Sequence, residues 1–331
     1  MSRKTFLNAL SRRNPPGVFS LGTATSIACV ELMELTGALF PKAHLDAETM
    51  ARLAIAGHTV LGLDVVMPLF SVCHEAAALG ANVDWGAPDA MPDSGKPIWK
   101  TADDVVIPKD FLNRPSCRVA LEAISLLRKR LGDSAAVCGK AFGGWTLGYH
   151  LFGVESFLIG TIDDPGQTHR ILEKLTPATV AFANAQLDAG ADCILLADHA
   201  TRDLCSPAAY REFLLPLHTR LAKEVKAPSL LHICGNTSDR VGMIAQTGLA
   251  GFHWDTKSGT PREFRKLAGD RLALMGGVNN LTLLNGTPDE VAAMAADAAA
   301  AGIDIVGPEC AIPLRTPLAN LKAIATIRER R

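Results

Sequence analysis

The sequence predicts a (β/α)8 TIM barrel, an α/β fold with an N-terminal helical extension, on three observations. Eight short apolar runs alternate with longer segments of helical apolar periodicity. No Pro-, Gly- or Ser-rich linker divides the chain into halves. The apolar runs are nearly continuous rather than alternating, as parallel strands covered on both faces require. A length of 331 residues suits one such domain over 1–331, since these barrels commonly run ~250 residues or more. An open doubly wound sheet is the runner-up. No Gly-x-Gly-x-x-Gly follows the first run, however, and the turn there is Leu21-Gly-Thr-Ala-Thr25, which is not a phosphate loop.

The elements follow in order. Met1 to Arg13 has apolar residues at helical spacing and reads as an amphipathic surface helix rather than a signal peptide. Gly17 to Gly22 is the first strand. Pro41 to Gly62 is a helix with Leu45, Met50, Leu53 and Ile55 apolar, closed by a glycine. Asp64 to Phe70 is the second strand. The stretch near 82–113, rich in Pro, Asp and Gly, reads as an inserted segment rather than core, either a lid or a partner surface. Ser116 to Leu131 is a helix and Ala135 to Phe142 the third strand. Thr168 to Gly190 is a helix leading into the fourth strand, Asp192 to Asp198.

Ser206 followed by Pro207 marks the start of a helix over 208–226, with proline at its first position. Ser229 to Cys234, Gly251 to Asp255 and Arg271 to Gly276 are strands five to seven. Thr287-Pro-Asp-Glu290 opens an alanine-rich helix through capping chemistry. Gly302 to Gly307 is strand eight, and a helix from about Pro317 ends the chain.

Composition removes several function classes. An apolar content of 48% builds a sizeable core and excludes disorder. Lys+Arg of 33 against Asp+Glu of 34 leaves no cationic surplus to neutralise phosphates, so no nucleic-acid partner is expected. No apolar run reaches the ~20 residues a bilayer span needs, so no membrane partner is expected either. The run from Val65 is broken by a proline, and that from Asp192 is bounded by carboxylates. Eight cysteines, neither dense nor regularly spaced, suit reduced thiols and a cytoplasmic location.

In a barrel the working groups sit where strands end. The ends of strands four to eight hold Asp198-His199, His232-Ile-Cys234, Asp255, Asn279 within Gly276-Gly-Val-Asn-Asn280, and Cys310 in Gly307-Pro-Glu-Cys310. Imidazole, two thiols and a carboxylate are zinc-ligand chemistries. Residues two apart on an extended segment point the same way, so His232 and Cys234 can reach one ion. On spacing alone, a half-buried histidine beside a core cysteine is the more frequent outcome. Cys29, Cys73, Cys138 and Cys193 read as core residues. Asp198 and His199 read as a proton-handling pair or a structural hydrogen-bonded pair, and His253 as a packed neighbour of Asp255.

The pattern over the whole chain sharpens this. His232-Ile-Cys-Gly-Asn236, Gly251 to Asp255, Gly276-Gly-Val-Asn-Asn280, and Gly307-Pro-Glu-Cys-Ala-Ile-Pro313 followed by Thr316-Pro-Leu-Ala-Asn320 resemble the methylcobamide:coenzyme M methyltransferases. These form the MtaA/CmuA group of the uroporphyrinogen decarboxylase superfamily. Val30-Glu-Leu-Met33, Pro41-x-Ala-His44 and Asn184-Ala-x-x-x-Ala-Gly-Ala-Asp192 extend the resemblance along nearly the whole chain. It implies a barrel with catalytic zinc on His232, Cys234 and Cys310. Asp255 stands where the group has a glutamate, and is implied as a fourth ligand that a substrate displaces. Asp198 matches the group's aspartate after strand four, whereas His199 has no counterpart and marks a different substrate. Asp198, His199 and Asp255 are thus candidate catalytic residues, and Asn236, Gly276 and Asn279, inside the shared motifs, candidate cofactor-binding residues.

Decarboxylation itself is not expected. Uroporphyrinogen decarboxylases carry an Arg-rich segment ending in Gln-Ala-Gly-Arg, whereas Phe19-Ser-Leu-Gly-Thr-Ala-Thr-Ser26 has no arginine. The implied activity is a zinc-dependent, corrinoid-linked methyltransferase working between a methyl-corrinoid protein and a thiol acceptor of the coenzyme M or homocysteine type. The chain has no Asp-x-His-x-x-Gly cobalamin motif, so methylcobamide (cobalamin) is expected on a separate corrinoid protein that docks over the barrel mouth. Two alternatives stay open: demethylation of a methyl ether, methanol or similar donor onto cobalt(I), and a structural-zinc barrel without turnover.

Overall fold

The computed structural model describes residues 2–328. Met1 and residues 329–331, the ends of the two expected terminal helices, lie outside the described residues. Among the described residues there are eight strands: β1 Ser20–Leu21, β2 Val65–Val66, β3 Ala136–Phe142, β4 Cys193–Ala197, β5 Ser229–His232, β6 Gly251–Trp254, β7 Ala273–Val278 and β8 Ile305–Pro308. Every ladder is parallel, in the order β1-β8-β7-β6-β5-β4-β3-β2. Every strand residue is buried, because one face fills the barrel and the other meets helices. That is why the strands read as unbroken apolar runs.

Asp64 draws β1 to β2. Its backbone N–H donates to the Leu21 carbonyl at 2.8 Å. Its carboxylate accepts from Leu21 N and Ser20 Oγ, both at 2.8 Å, and pairs with Arg328. The helix α1, Ser2–Leu10, packs against β1 and β3. It buries Phe6, Ala9 and Leu10 and is tied by Arg3 to Asp192 at 2.7 Å.

Several boundaries differ from the sequence reading for local reasons. β2 stops at Val66 because Pro68, two residues on, has no N–H for a ladder. The helix expected over 41–62 is two helices, Lys42–Leu45 and Ala47–Thr59. Asp46 between them is extended, and its carboxylate accepts from Thr49 N at 2.9 Å, so it ends one helix and caps the next. β7 runs on to Val278, because Gly276 and Gly277 accept φ of 127° and 97° while staying paired with β8. Ser206 does cap its helix, accepting from Ala209 N at 3.1 Å, but a π turn over Tyr210–Leu214 interrupts it. Thr287 and Glu290 form the expected capping box.

Within 82–113, antiparallel bridges join Asp84 to Asp93 and Ala87 to Ala90, followed by 3-10 turns at Ala102–Asp104 and Phe111–Asn113. No helix among the described residues is long and apolar enough to cross a membrane.

Candidate metal and substrate site

A cavity of about 520 Å³ opens where the strands end. Met91 to Gly95 of the inserted segment form part of its rim, and His232, Cys234 and Cys310 lie in its wall.

His232 ends β5, and its register partner on β6 is His253. The His232 Nδ1–H donates to the His253 carbonyl at 3.0 Å, which leaves the Nε2 lone pair facing the cavity. Nε2 lies 3.0 Å from the Cys234 sulfur and 3.3 Å from that of Cys310, and the two sulfurs are 2.9 Å apart. One imidazole nitrogen and two sulfurs thus converge within 4.8 Å of one another. That set of one borderline and two soft donors suits zinc. The Cys234 thiol hydrogen bonds to the Cys310 sulfur and, with nearby His232, holds Cys310 well below the usual thiol range. Burial disfavours the His232 imidazolium, but the charge and hydrogen bond of Cys310 outweigh it and raise its pKa.

The supporting groups explain how distant segments meet. The His253 ring donates from Nε2 to the Pro308 carbonyl at 2.8 Å. One residue therefore orients the ring of His232 and fixes the end of β8, just before Cys310. Glu309 does the same for three loops. Its carboxylate accepts from Thr256 N and Asn280 N, both at 2.8 Å, and from Asn279 Nδ2 at 3.1 Å. Burial pushes that carboxyl up. Neither role is visible in sequence spacing.

Asp255, the expected fourth ligand, lies outside the group of converging donors. Its Oδ2 accepts from Gly235 N and its Oδ1 from Lys257 N, both at 2.9 Å. The short side chain closes onto the loop that follows Cys234, where Gly235 adopts φ +79°. Asp255 therefore shapes the His-x-Cys loop.

Asp198 and His199 do not form a pair. Asp198 is buried, accepting from Thr146 N at 2.9 Å and from His218 Nε2 at 3.0 Å. His218 Nδ1 in turn meets the Tyr210 hydroxyl at 2.9 Å. His218 is the partner that the sequence reading missed, and the π turn at Tyr210–Leu214 lies on the segment between Tyr210 and His218. His199 instead exposes its ring at the cavity, with Tyr149 6.3 Å away between ring centroids.

The three candidate cofactor-binding residues lie outside the cavity wall. Asn236 folds its Oδ1 onto Ser238, 3.1 Å from N and 2.8 Å from Oγ. Gly276 is inside β7, where a Cβ would lie 2.8 Å from the Trp254 carbonyl. Asn279 caps the helix Asn280–Asn285. Asn236 and Asn279 thus hold loop geometry, and Gly276 permits the close approach of β6 and β7.

Two further ionisable residues lie beside the cavity. Lys140, on β3, lines it, and burial brings its ammonium down to about 8. Glu75 is fully buried; burial raises its carboxyl to about 7, and its Oε1 accepts from Phe142 N at 2.8 Å. A carboxyl raised in the fold binds its proton more tightly there than in the unfolded chain. Its stability is complete below pH 4.5 and is lost as pH rises through about 7. Glu75→Gln is therefore expected to flatten the fall in unfolding free energy across that window by about 3 kcal/mol. Urea titrations at the two ends of the window measure it.

Comparison with known proteins agrees with this architecture. Residues 1–331 match the family described as uroporphyrinogen decarboxylase (URO-D). The chain is 34% identical over 329 residues to the methylcobamide:CoM methyltransferase MtaA of Methanosarcina barkeri, covering 98% of this chain and 97% of the relative. It is 36% identical over 296 residues to a methylated-thiol–coenzyme M methyltransferase of Methanosarcina mazei, covering 88% and 80%. A solved methyltransferase from Methanosarcina mazei superposes with a TM-score of 0.95 at 33% identity, over 99% of this chain and 98% of that one.

Proposed function

The chain belongs to the uroporphyrinogen decarboxylase family, within its methylcobamide:coenzyme M methyltransferase group, and from that premise we propose that it is a zinc-dependent methyltransferase. It moves a methyl group between a corrinoid carried by a separate protein and a small thiol held in the mouth cavity. The convergence of His232 Nε2 with the sulfurs of Cys234 and Cys310 at the cavity wall carries the reading. Likeness to methylcobamide:CoM methyltransferases over almost the whole chain supports the corrinoid partner and the thiol acceptor. Eight unpaired cysteines suit a reducing compartment, and we place the protein in the cytoplasm.

Zinc bound here would keep an acceptor sulfur deprotonated at neutral pH, as a nucleophile for the methyl carbon. The chain's own residues prepare that chemistry. On binding a divalent ion, Cys234 and Cys310 would supply two thiolates that offset its charge. With a metal on Nε2, His232 would carry its one proton on Nδ1, where the His253 carbonyl accepts it and sets the plane of the ring. These three protein donors would leave a four-coordinate ion one position for substrate. Asp255 acts on the site through the Gly235 amide, Asp198 through Thr146 and His218, and His199 faces the bound molecule from the rim.

Metal content and X-ray absorption test the reading. One zinc with two sulfurs, rising to three when a thiol is added, is the expected result. A sulfur count that thiols never change is the signature of structural zinc and overturns it. Asp255→Ala frees two loop amides rather than a ligand. It is expected to weaken zinc binding about 10–100-fold while the count of two protein sulfurs stays unchanged.

A further inference from the structure

Lys140 takes no part in holding the metal, yet it shares the same cavity. It sits within β3, whose residues are all buried. Gly139 faces outward: a Cβ there would meet Gln186 of the covering helix at 2.7 Å. Side chains alternate along a strand, so Lys140 points into the barrel. Gln186 also clamps the backbone at this residue, accepting from Lys140 N at 2.9 Å and donating to its carbonyl at 2.8 Å. The direction of the side chain is therefore set by the scaffold.

The lysine is 4% exposed and lies in the wall of the cavity that holds His232, Cys234 and Cys310. Its ammonium sits over the Phe142 ring, 5.4 Å from the centroid. No carboxylate makes an ion pair with it among the described residues. Glu75 acts on it through space, but one Glu75 oxygen is engaged by Phe142 N and the other has no partner. A buried ammonium without a hydrogen-bonded anion is costly to keep. The cost is recovered when a ligand brings the anion, and the charge then selects that ligand.

We propose that Lys140 anchors a carboxylate or sulfonate on the small molecule whose sulfur meets the His232–Cys234–Cys310 site. This makes Lys140 the residue that selects an anionic thiol over a neutral one. The inference rests on the thiol-acceptor reading above.

Calorimetric titration of the zinc-loaded full chain tests it with three probes: 2-mercaptoethanesulfonate, 3-mercaptopropionate and uncharged 2-mercaptoethanol. At least one anionic thiol is expected to bind roughly tenfold or more tightly than 2-mercaptoethanol. The ratio of the two anionic thiols tells sulfonate from carboxylate. Lys140→Met is expected to abolish the preference while leaving zinc content and 2-mercaptoethanol affinity unchanged. If that variant does not fold, Lys140→Gln is read in the same way.

A second arm omits both zinc and thiol. Ethanesulfonate and propionate are added to the metal-free chain, and the rise in melting temperature of wild type is compared with that of Lys140→Met. A rise seen only in wild type supports the anchor even where zinc and thiol binding fail. Equal affinities for charged and neutral thiols in wild type overturn the proposal. So does an equal loss for both in Lys140→Met, which marks a mere counter-ion of Glu75.

Discussion

Cys310→Ala is expected to lose zinc while keeping its fold. Cys310 sits at the cavity, half-buried, beyond the end of β8, so its removal leaves the strand ladders untouched. The effect on the metal is large, because one of two thiolates disappears and the loop after β8 supplies no replacement sulfur. Structural zinc sites bind with about 10–16 kcal/mol. Divided over three protein donors and one exchangeable position, each donor carries about 3 kcal/mol, or roughly a hundredfold in affinity. Dialysis against a chelator followed by elemental analysis measures the loss, and a melting curve checks the fold. Cys205→Ala is the control, a buried thiol outside the converging donors. Full zinc occupancy in Cys310→Ala would remove this residue from the ligand set.

Gly307→Ala is expected to destabilise the barrel by more than about 3 kcal/mol. A Cβ at 307 would lie 2.0 Å from the Gly22 carbonyl oxygen and 2.8 Å from its carbon. Both are backbone atoms, so no side chain can rotate away. β1 cannot retreat either, since Gly22 N donates to the Val306 carbonyl at 3.0 Å and Asp64 grips Ser20 and Leu21 from the other side. The strain falls three residues before Cys310, so zinc affinity is expected to drop together with stability. Urea midpoints and a zinc titration of the same sample read both. Wild-type stability in this variant would show that β1 and β8 do not close as tightly as observed.

Much of this protein was legible in its residues. Eight apolar runs and the helical periods between them imply the barrel, because a strand covered on both faces leaves no polar alternation. Ser206 and Thr287-Pro-Asp-Glu290 announce their helix starts, since capping is a local hydrogen bond between neighbours. The His-x-Cys spacing pointed to two donors on one side of a strand end, and the motif resemblance added Cys310.

Long-range partnerships were not legible, because period and spacing tell which way a side chain leaves the backbone but not what it meets. Asp198 stands next to His199 in the chain yet bonds to His218, twenty residues away. Asp255 had the chemistry of a ligand, but its two oxygens are engaged by loop amides. His253 read as a packed neighbour of Asp255, yet it and Glu309 fix where the site residues sit. Lys140 carried a local sign, a charge within a buried strand, but only the closed barrel brings it to the cavity of Cys310. Local chemistry along the chain therefore specifies the elements and the types of donor. The three-dimensional fold assigns partners, since hydrogen bonds and charges act between atoms that only the ring of strands and its loops bring within reach.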